Sequence, residues 1–316
     1  MSNWPAWLPL RGDLSDLTPY GAPQITDVTS LNTNENPFAL PKAVVEAILT
    51  KLPSTLESLN RYPDRDALSL RTELSRYINK KNGTNFNLAN IWAANGSNEI
   101  LQTLVLACGH KGVLGFITTP NNPSGNAIGI DQISKLAESA KSVGALLVVD
   151  EAYAEFSTEL SAVNLIEKFE NLVVVRTMSK AFALAGARVG YFIANPKVVE
   201  VALITRLPYH LSSQTQEIAI IALQHDELLQ AEIDLLISER KRVSSELIKL
   251  GMKVVDSEAN FLLFTGFKGS PKEVWSSLLD SKVLIRDVGI PNHLRTTIGT
   301  PDENNQFLAA IAEHRP

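Results

Sequence analysis

The sequence has a single cysteine, Cys108, among 316 residues. One thiol cannot close an internal disulfide, which fits a reducing compartment and excludes a small disulfide-built fold. It lies in the apolar run Leu104-Val105-Leu106-Ala107-Cys108, so a buried thiol is a simpler reading than a nucleophile. Histidine is also scarce. The five are scattered, none is paired at zinc-ligand spacing, and no metal site is expected. Basic blocks are missing: Lys and Arg total 29 against 34 Asp and Glu. That balance is unsuited to nucleic acid and fits a solvated acidic surface. No apolar run reaches the ~18 residues of a membrane span. Residues 1–10 lack the basic then apolar stretches of a secretory signal. A soluble, cytoplasmic protein is expected.

Apolar residues are plentiful at 45%, enough to bury a sizeable core in one large or two ordinary domains. Residues 1–40 are rich in Pro, Gly, Asn and Thr, show no clean periodicity, and read as an extended arm. The spacing of Val44, Val45, Ile48 and Leu52 predicts a helix from about Pro41. A second is predicted over about 66–80, with Leu70, Leu74, Tyr77 and Ile78 on one stripe. A third follows Gly96 and ends at Gly109. Residues 145–149 and 172–175 are continuous apolar runs, as strands buried on both faces should be, and 189–194 is a further candidate. Helical patterns at 131–143 and 163–169 precede the first two. This alternation predicts an α/β fold: a large domain with a mostly parallel sheet flanked by helices. A helical stretch covers 214–250. Beyond it, short strands at 253–255, 261–264, 283–286 and 294–298, with one helix near 271–279, predict a smaller α+β domain. The expected division is an arm over 1–40 that joins the small domain, a large domain over 41–225 and a small domain over 226–316.

Four segments carry chemistry. Thr177-Met178-Ser179-Lys180 follows a buried strand, where active sites of open α/β sheets lie. Burial there lowers an amine's pKa and makes it a nucleophile toward an aldehyde. Thr177, Ser179 and Arg188 add hydroxyls and a fork-shaped cation suited to phosphate. Taken alone, a lysine after a strand is most often an ordinary solvated one. Asp150 ends a fully apolar strand, a costly place for a carboxylate unless it meets a cation or strong donor. A protonated pyridine nitrogen is such a partner, and Tyr153 can hydrogen-bond a phenolic oxygen. The plainer reading of Asp150 is a helix cap. Thr119-Pro120-Asn121-Asn122-Pro123-Ser124-Gly125 is a rigid turn that either presents Asn122 to a ring oxygen or is a plain loop. Asn95-Gly96-Ser97-Asn98-Glu99 opens a helix, making either an anion site or a simple cap by Ser97.

Together, and in this order, these segments resemble the fold-type I pyridoxal-phosphate aminotransferases over most of the chain. A closer resemblance, to the histidinol-phosphate aminotransferase family, rests on Leu31-Asn32-Thr33-Asn34-Glu35-Asn36-Pro37, Asn60-Arg61-Tyr62-Pro63-Asp64, Arg286-Asp287-Val288-Gly289-Ile290 and His293-Leu294-Arg295-Thr296-Thr297-Ile298-Gly299. The resemblance implies pyridoxal 5'-phosphate as cofactor and transamination of histidinol phosphate with 2-oxoglutarate, in histidine biosynthesis. It makes Lys180 the Schiff-base lysine and proton shuttle, Asp150 the partner of the pyridinium nitrogen, and Asn122 and Tyr153 the holders of the ring hydroxyl oxygen. Ser97, Asn98, Thr177, Ser179 and Arg188 then bind the cofactor phosphate. Tyr62 reaches the phosphate in a neighbouring subunit, which implies a homodimer. Arg295 and Arg286 receive the substrate's anionic end, and Tyr20 and Asn34 line the substrate pocket. For the two arginines, surface salt bridging is the plainer alternative.

One place departs from the family. Val113-Leu114-Gly115-Phe116 reads as one strand and Ile117-Thr118-Thr119 as the end of another. The family carries roughly forty residues there, ample for the crossover that two parallel strands need. They include the aromatic residue that stacks on the cofactor ring. The favoured expectation is a segment unseen between Phe116 and Ile117, because every flanking motif is intact. Its rival is a true deletion. Rival functions are an aromatic aminotransferase or phosphothreonine-type decarboxylase of the same fold, an inactive relic, or a regulator's sensory domain, the last disfavoured by the lack of a basic helix-turn-helix region.

Overall fold

The computed structural model describes residues 4–5, 7–19, 21–109 and 113–316. The arm passes through β1 (Thr29–Ser30) into α1 (Lys42–Glu57), which Pro41 precedes at the cap position. α2 (Leu68–Asn82) buries Leu70, Leu74, Tyr77 and Ile78, the stripe its periodicity predicts, and stops at Gly83 in the left-handed region. β2 (Ile91–Ala94), α3 (Gly96–Cys108), β3 (Val113–Thr118), α4 (Ile130–Ser142), β4 (Ala145–Asp150), β5 (Leu172–Thr177), β6 (Gly190–Ala194) and α5 (Pro196–Thr205) follow. Then come α6 (Ser213–Gln224), α7 (Asp226–Lys249), β7 (Lys253–Val254), β8 (Phe261–Thr265), α8 (Pro271–Asp280), β9 (Val283–Leu284), β10 (Leu294–Thr297) and α9 (Pro301–Ile311).

The larger sheet has the order β2-β6-β5-β4-β3. β3, β4 and β5 are parallel, and β6 runs antiparallel to both β5 and β2. Side chains alternate across it with the strand period of two. Val173 and Val175 pack under α3 and α5 with Phe192 and Ile100. Leu172 and Val174 face α2, α4 and the rest of the core. Each such side chain contributes about 1.5–3 kcal/mol when fully buried. A smaller antiparallel sheet, β10-β8-β7, packs against α7 and, through Phe264 on Phe307, against α9, while α8 packs on β9 and α9.

Several expectations change in detail. The helix expected at 163–169 is a short 3-10 turn, Ala162–Leu165. The stretch 214–250 is two helices parted at His225. β9 leaves the small sheet and pairs in parallel with β1 of the arm, so the arm is stitched to the C-terminal elements by backbone bonds. The two strands expected on either side of Phe116 and Ile117 are one. β3 is unbroken, with Phe116 opposite Val148 and Ile117 opposite Val149 on the β4 ladder. Phe116 and Ile117 are adjacent residues of this one strand, where the sequence departs from the family pattern. β3 is consequently an edge strand, and its Val113 and Phe116 are 57% and 47% exposed.

Candidate active site

The carboxyl ends of β4 and β5 open into a cavity of about 350 Å³. Its wall brings together Ser97, Asn98, Asn122, Asp150, Tyr153, Thr177, Ser179, Lys180 and Arg188, from stretches far apart in the chain. Thr118, Pro120 and Ala152 complete it. This is the position at which an open α/β sheet presents a ligand site.

One end is built for an anion. β6 begins at Gly190, where a Cβ would sit 2.5 Å from the Gly96 carbonyl carbon and the Ser97 nitrogen. Only glycine lets α3 start this close to the sheet. Gly96 itself has φ +80°, and a Cβ there would meet Arg188 Nη2 at 2.6 Å. The guanidinium therefore lies against the first turn of α3. It donates from Nη1 to Ser179 Oγ at 3.3 Å, and Ser179 Oγ is 3.0 Å from Thr177 Oγ1. At the start of α3 Glu99 Oε2 accepts the Asn95 N–H at 2.6 Å, while the Asn95 side chain makes no capping bond to the first turn. Ser97 lies inside the helix and is not its cap. The uncapped N–H groups, the helix dipole and Arg188 together favour a phosphate.

Lys180 Nζ donates to the Thr33 carbonyl at 2.9 Å. Burial draws its amine down to about 8. The positive charges of Arg295 and Arg188 act the same way, and Glu35 opposes them. Across the cavity, burial pushes the Asp150 carboxyl up to about 6; the Ala152 N–H, which Asp150 Oδ1 accepts at 3.2 Å, opposes this and Glu151 adds to it. A buried acid raised in this way ionises fully once a cation is placed beside it. Glu151 turns the other way. It accepts from Arg176 Nε, Ser161 Oγ and the Ala162 N–H, while Arg176 also pairs with Glu155 at 2.7 Å. This buried cluster fastens the segment carrying Asp150 and Tyr153 to β5.

The residues expected at the substrate end divide. Arg295, 6% exposed, donates to Asn122 Oδ1 at 2.6 Å and to the Asn32 carbonyl at 2.7 Å, with its guanidinium over the Phe261 ring. Arg286 is its backbone partner, exchanging both N–H···O bonds, so the two side chains leave the same face. Asn34 does not line the cavity. It is fully buried behind Tyr153, with its amide engaged by Tyr153 and Thr297. Tyr62 is on the surface, 79% exposed and stacked on Tyr209 at 4.4 Å. Tyr20 lies outside the described residues. Thr33, Thr118, Ala152 and the Glu151–Arg176 pair were not anticipated. Only Glu151 had a sequence signal, as a second acid directly after a buried strand. Among the described residues no helix is long and apolar enough to cross a membrane, and no cluster of His, Cys, Asp and Glu is placed to hold a metal ion.

Comparison with known proteins identifies the family. The family model "Aminotransferase class I and II" matches in two pieces, residues 26–115 and 110–311, so its continuity breaks where β3 begins. A histidinol-phosphate aminotransferase of Mycolicibacterium vanbaalenii is 43% identical over 356 residues, covering 96% of this chain and 95% of that protein. One of Corynebacterium diphtheriae is 42% identical, covering 97% and 96%. These alignments are longer than the 316-residue chain, so the relatives carry internal residues that it lacks. In fold, the chain is similar to the Sinorhizobium meliloti histidinol-phosphate aminotransferase solved in complex with pyridoxal-5'-phosphate (TM-score 0.78, 22% identity, 90% of each chain). The sequence match over nearly its whole length and the site at the strand ends lead to one conclusion: this chain belongs to the class I and II aminotransferases.

Proposed function

We propose that the chain transaminates histidinol phosphate with 2-oxoglutarate, giving imidazole-acetol phosphate and glutamate in histidine biosynthesis, with pyridoxal 5'-phosphate as cofactor. The observation that carries this reading is the convergence of the Lys180 amine, the Asp150 carboxyl and the uncapped start of α3 on one cavity. A phosphorylated pyridine aldehyde needs an amine, an acid and an anion cradle, and the residues present fit it. Ser97, Asn98, Thr177, Ser179 and Arg188 hold the phosphate, Asp150 pairs with the ring nitrogen, and Asn122 and Tyr153 hold the ring hydroxyl oxygen. When bound, the cofactor supplies an electron sink for the substrate's reacting carbon. Lys180 supplies the amine that bonds it and, once released, holds and moves a proton at Nζ. Its lowered pKa keeps a sizeable neutral fraction near pH 8.

Arg295, with Arg286 beside it, receives the anionic end of either substrate. A guanidinium fork accepts both phosphate and carboxylate. The names of the relatives support histidinol phosphate as the amino substrate. The chain works as a homodimer; supporting this, Tyr62 and the Tyr209 stacked on it are exposed, as are Leu56, Leu59 and Leu207. A patch of this kind marks an association site, and Tyr62 on it reaches the partner's cofactor phosphate. The arm, large domain and small domain divide as the sequence reading has it, and the working place is the cytoplasm.

Turnover of histidinol phosphate against phenylalanine and O-phosphothreonine tests the substrate; dominant turnover of either rival overturns it. Because the relatives carry internal residues that this chain lacks, cofactor capture and turnover are measured separately. A chain that shows visible absorbance lost on Lys180→Ala but turns over none of the three is an inactive relic.

A further inference from the structure

Tyr153 belongs to the large domain's site, yet the groups behind it come from the arm and the smaller sheet. Asn34 Nδ2 donates to Tyr153 Oη at 3.0 Å. The amide's orientation is set by Thr297 of β10, whose hydroxyl accepts from the Asn34 N–H at 2.9 Å and donates to Asn34 Oδ1 at 3.1 Å. Asn260 Nδ2 donates to the Asn34 carbonyl at 3.1 Å. Together these bonds hold Asn34 at φ +55°, a conformation that asparagine tolerates better than most residues. Phe261 of β8 meets the Tyr153 ring edge to face at 5.2 Å. Asn34, Asn260, Thr297 and Phe261 are all buried, so water does not compete for these bonds.

We propose that Asn34 is a positioning residue that sets the direction of the Tyr153 hydroxyl proton, and that Thr297 and Asn260 thereby couple the seating of the smaller sheet to the cofactor's ring oxygen. The inference rests on the cofactor reading above. A hydroxyl that accepts from Asn34 cannot donate to it, and Tyr153 lines the cavity. With Asn34 locked as donor, Tyr153 is set to donate to a ring oxygen, lowering that oxygen's basicity. The charged groups that line or border the cavity are Asp150 at the end of β4, Lys180 after β5, Arg188 before β6, Arg295 on β10 and Glu35 on the arm. The variants below leave all of them in place.

The experiment follows the visible absorbance of the cofactor bonded to Lys180 against pH. Asn34→Gly keeps the positive φ and removes only the amide. Its absorbance midpoint should rise by roughly half to one pH unit, the worth of one hydrogen bond. Asn34→Asp, which can only accept, should raise it further by drawing the Tyr153 proton to itself. Thr297→Val should give a smaller rise. In a Tyr153→Phe background, Asn34→Gly should move the midpoint no further. An unchanged midpoint in Asn34→Gly, or the same shift with and without the Tyr153 hydroxyl, overturns the proposal. A parent chain with no such absorbance overturns the cofactor reading itself, and this inference with it.

Discussion

β5 and β3 lie two places apart in one sheet and are both rich in apolar residues, yet their environments are opposite. Every residue of β5 is buried, whereas no residue of β3 is. β5 has β4 on one side and β6 on the other, with helices over both faces. β3 has β4 alone. The groups that fit the amine and phosphate duties, Thr177, Ser179, Lys180 and Arg188, hang from the closed side. The edge lies where the family model breaks and the relatives carry more chain. Anchoring chemistry is thus seated where packing is complete, and the departure from the family falls where it is not.

Four measurements break or sharpen that contrast. Lys180→Ala removes the amine and the proton carrier from the closed side; turnover of histidinol phosphate should fall by roughly 10⁴-fold, read in a steady-state assay. Gly190→Ala pushes a Cβ against backbone at the start of α3 and should cost about 1–3 kcal/mol in denaturant unfolding, while weakening retention of the cofactor phosphate. On the strands themselves, Val174→Ala in β5 should cost about 2 kcal/mol. Phe116→Ala on β3 should stay within about 0.5 kcal/mol. Equal costs would mean that β3 is covered in solution. The fourth measurement is against pH. The folded chain depresses the Lys180 pKa from 10.5 to about 8, so it binds a proton there less readily than the unfolded chain. Stability is lost as pH falls through this window. Cofactor-free Lys180→Met should therefore melt above the parent at pH 7, and the gap should close as pH rises from about 8 toward 10.5. A constant gap would show that the amine is not desolvated.

Much of the fold was legible because periodicity reports burial directly. The α2 stripe and the runs that became β4 and β5 are cases. Less legible were elements whose partners are remote. β9 has the composition of a small-sheet strand, but its hydrogen bonds go to the arm, a choice made by residues some 250 positions away. α9 had a reciprocal cap, Thr300 with Glu303, that was there to be read. In the site, Lys180 and Asp150 stand out because strand ends are recognisable. The bonds of Asn34 to Thr297, Asn260 and Tyr153 are not legible in its neighbours, because all three partners lie far along the chain.

The amino-acid order alone determined which side chains are available for chemistry and on which kind of element each sits, because local spacing fixes helix and strand faces. It also determined the departure at Phe116, which no folding could repair. The tertiary structure decided what meets what: that Gly96 and Gly190 bring a helix start against Arg188, that Arg295 grips Asn122, and that Asn34 backs Tyr153. Those contacts join residues far apart in the chain, and only the closing of the whole core sets their distances.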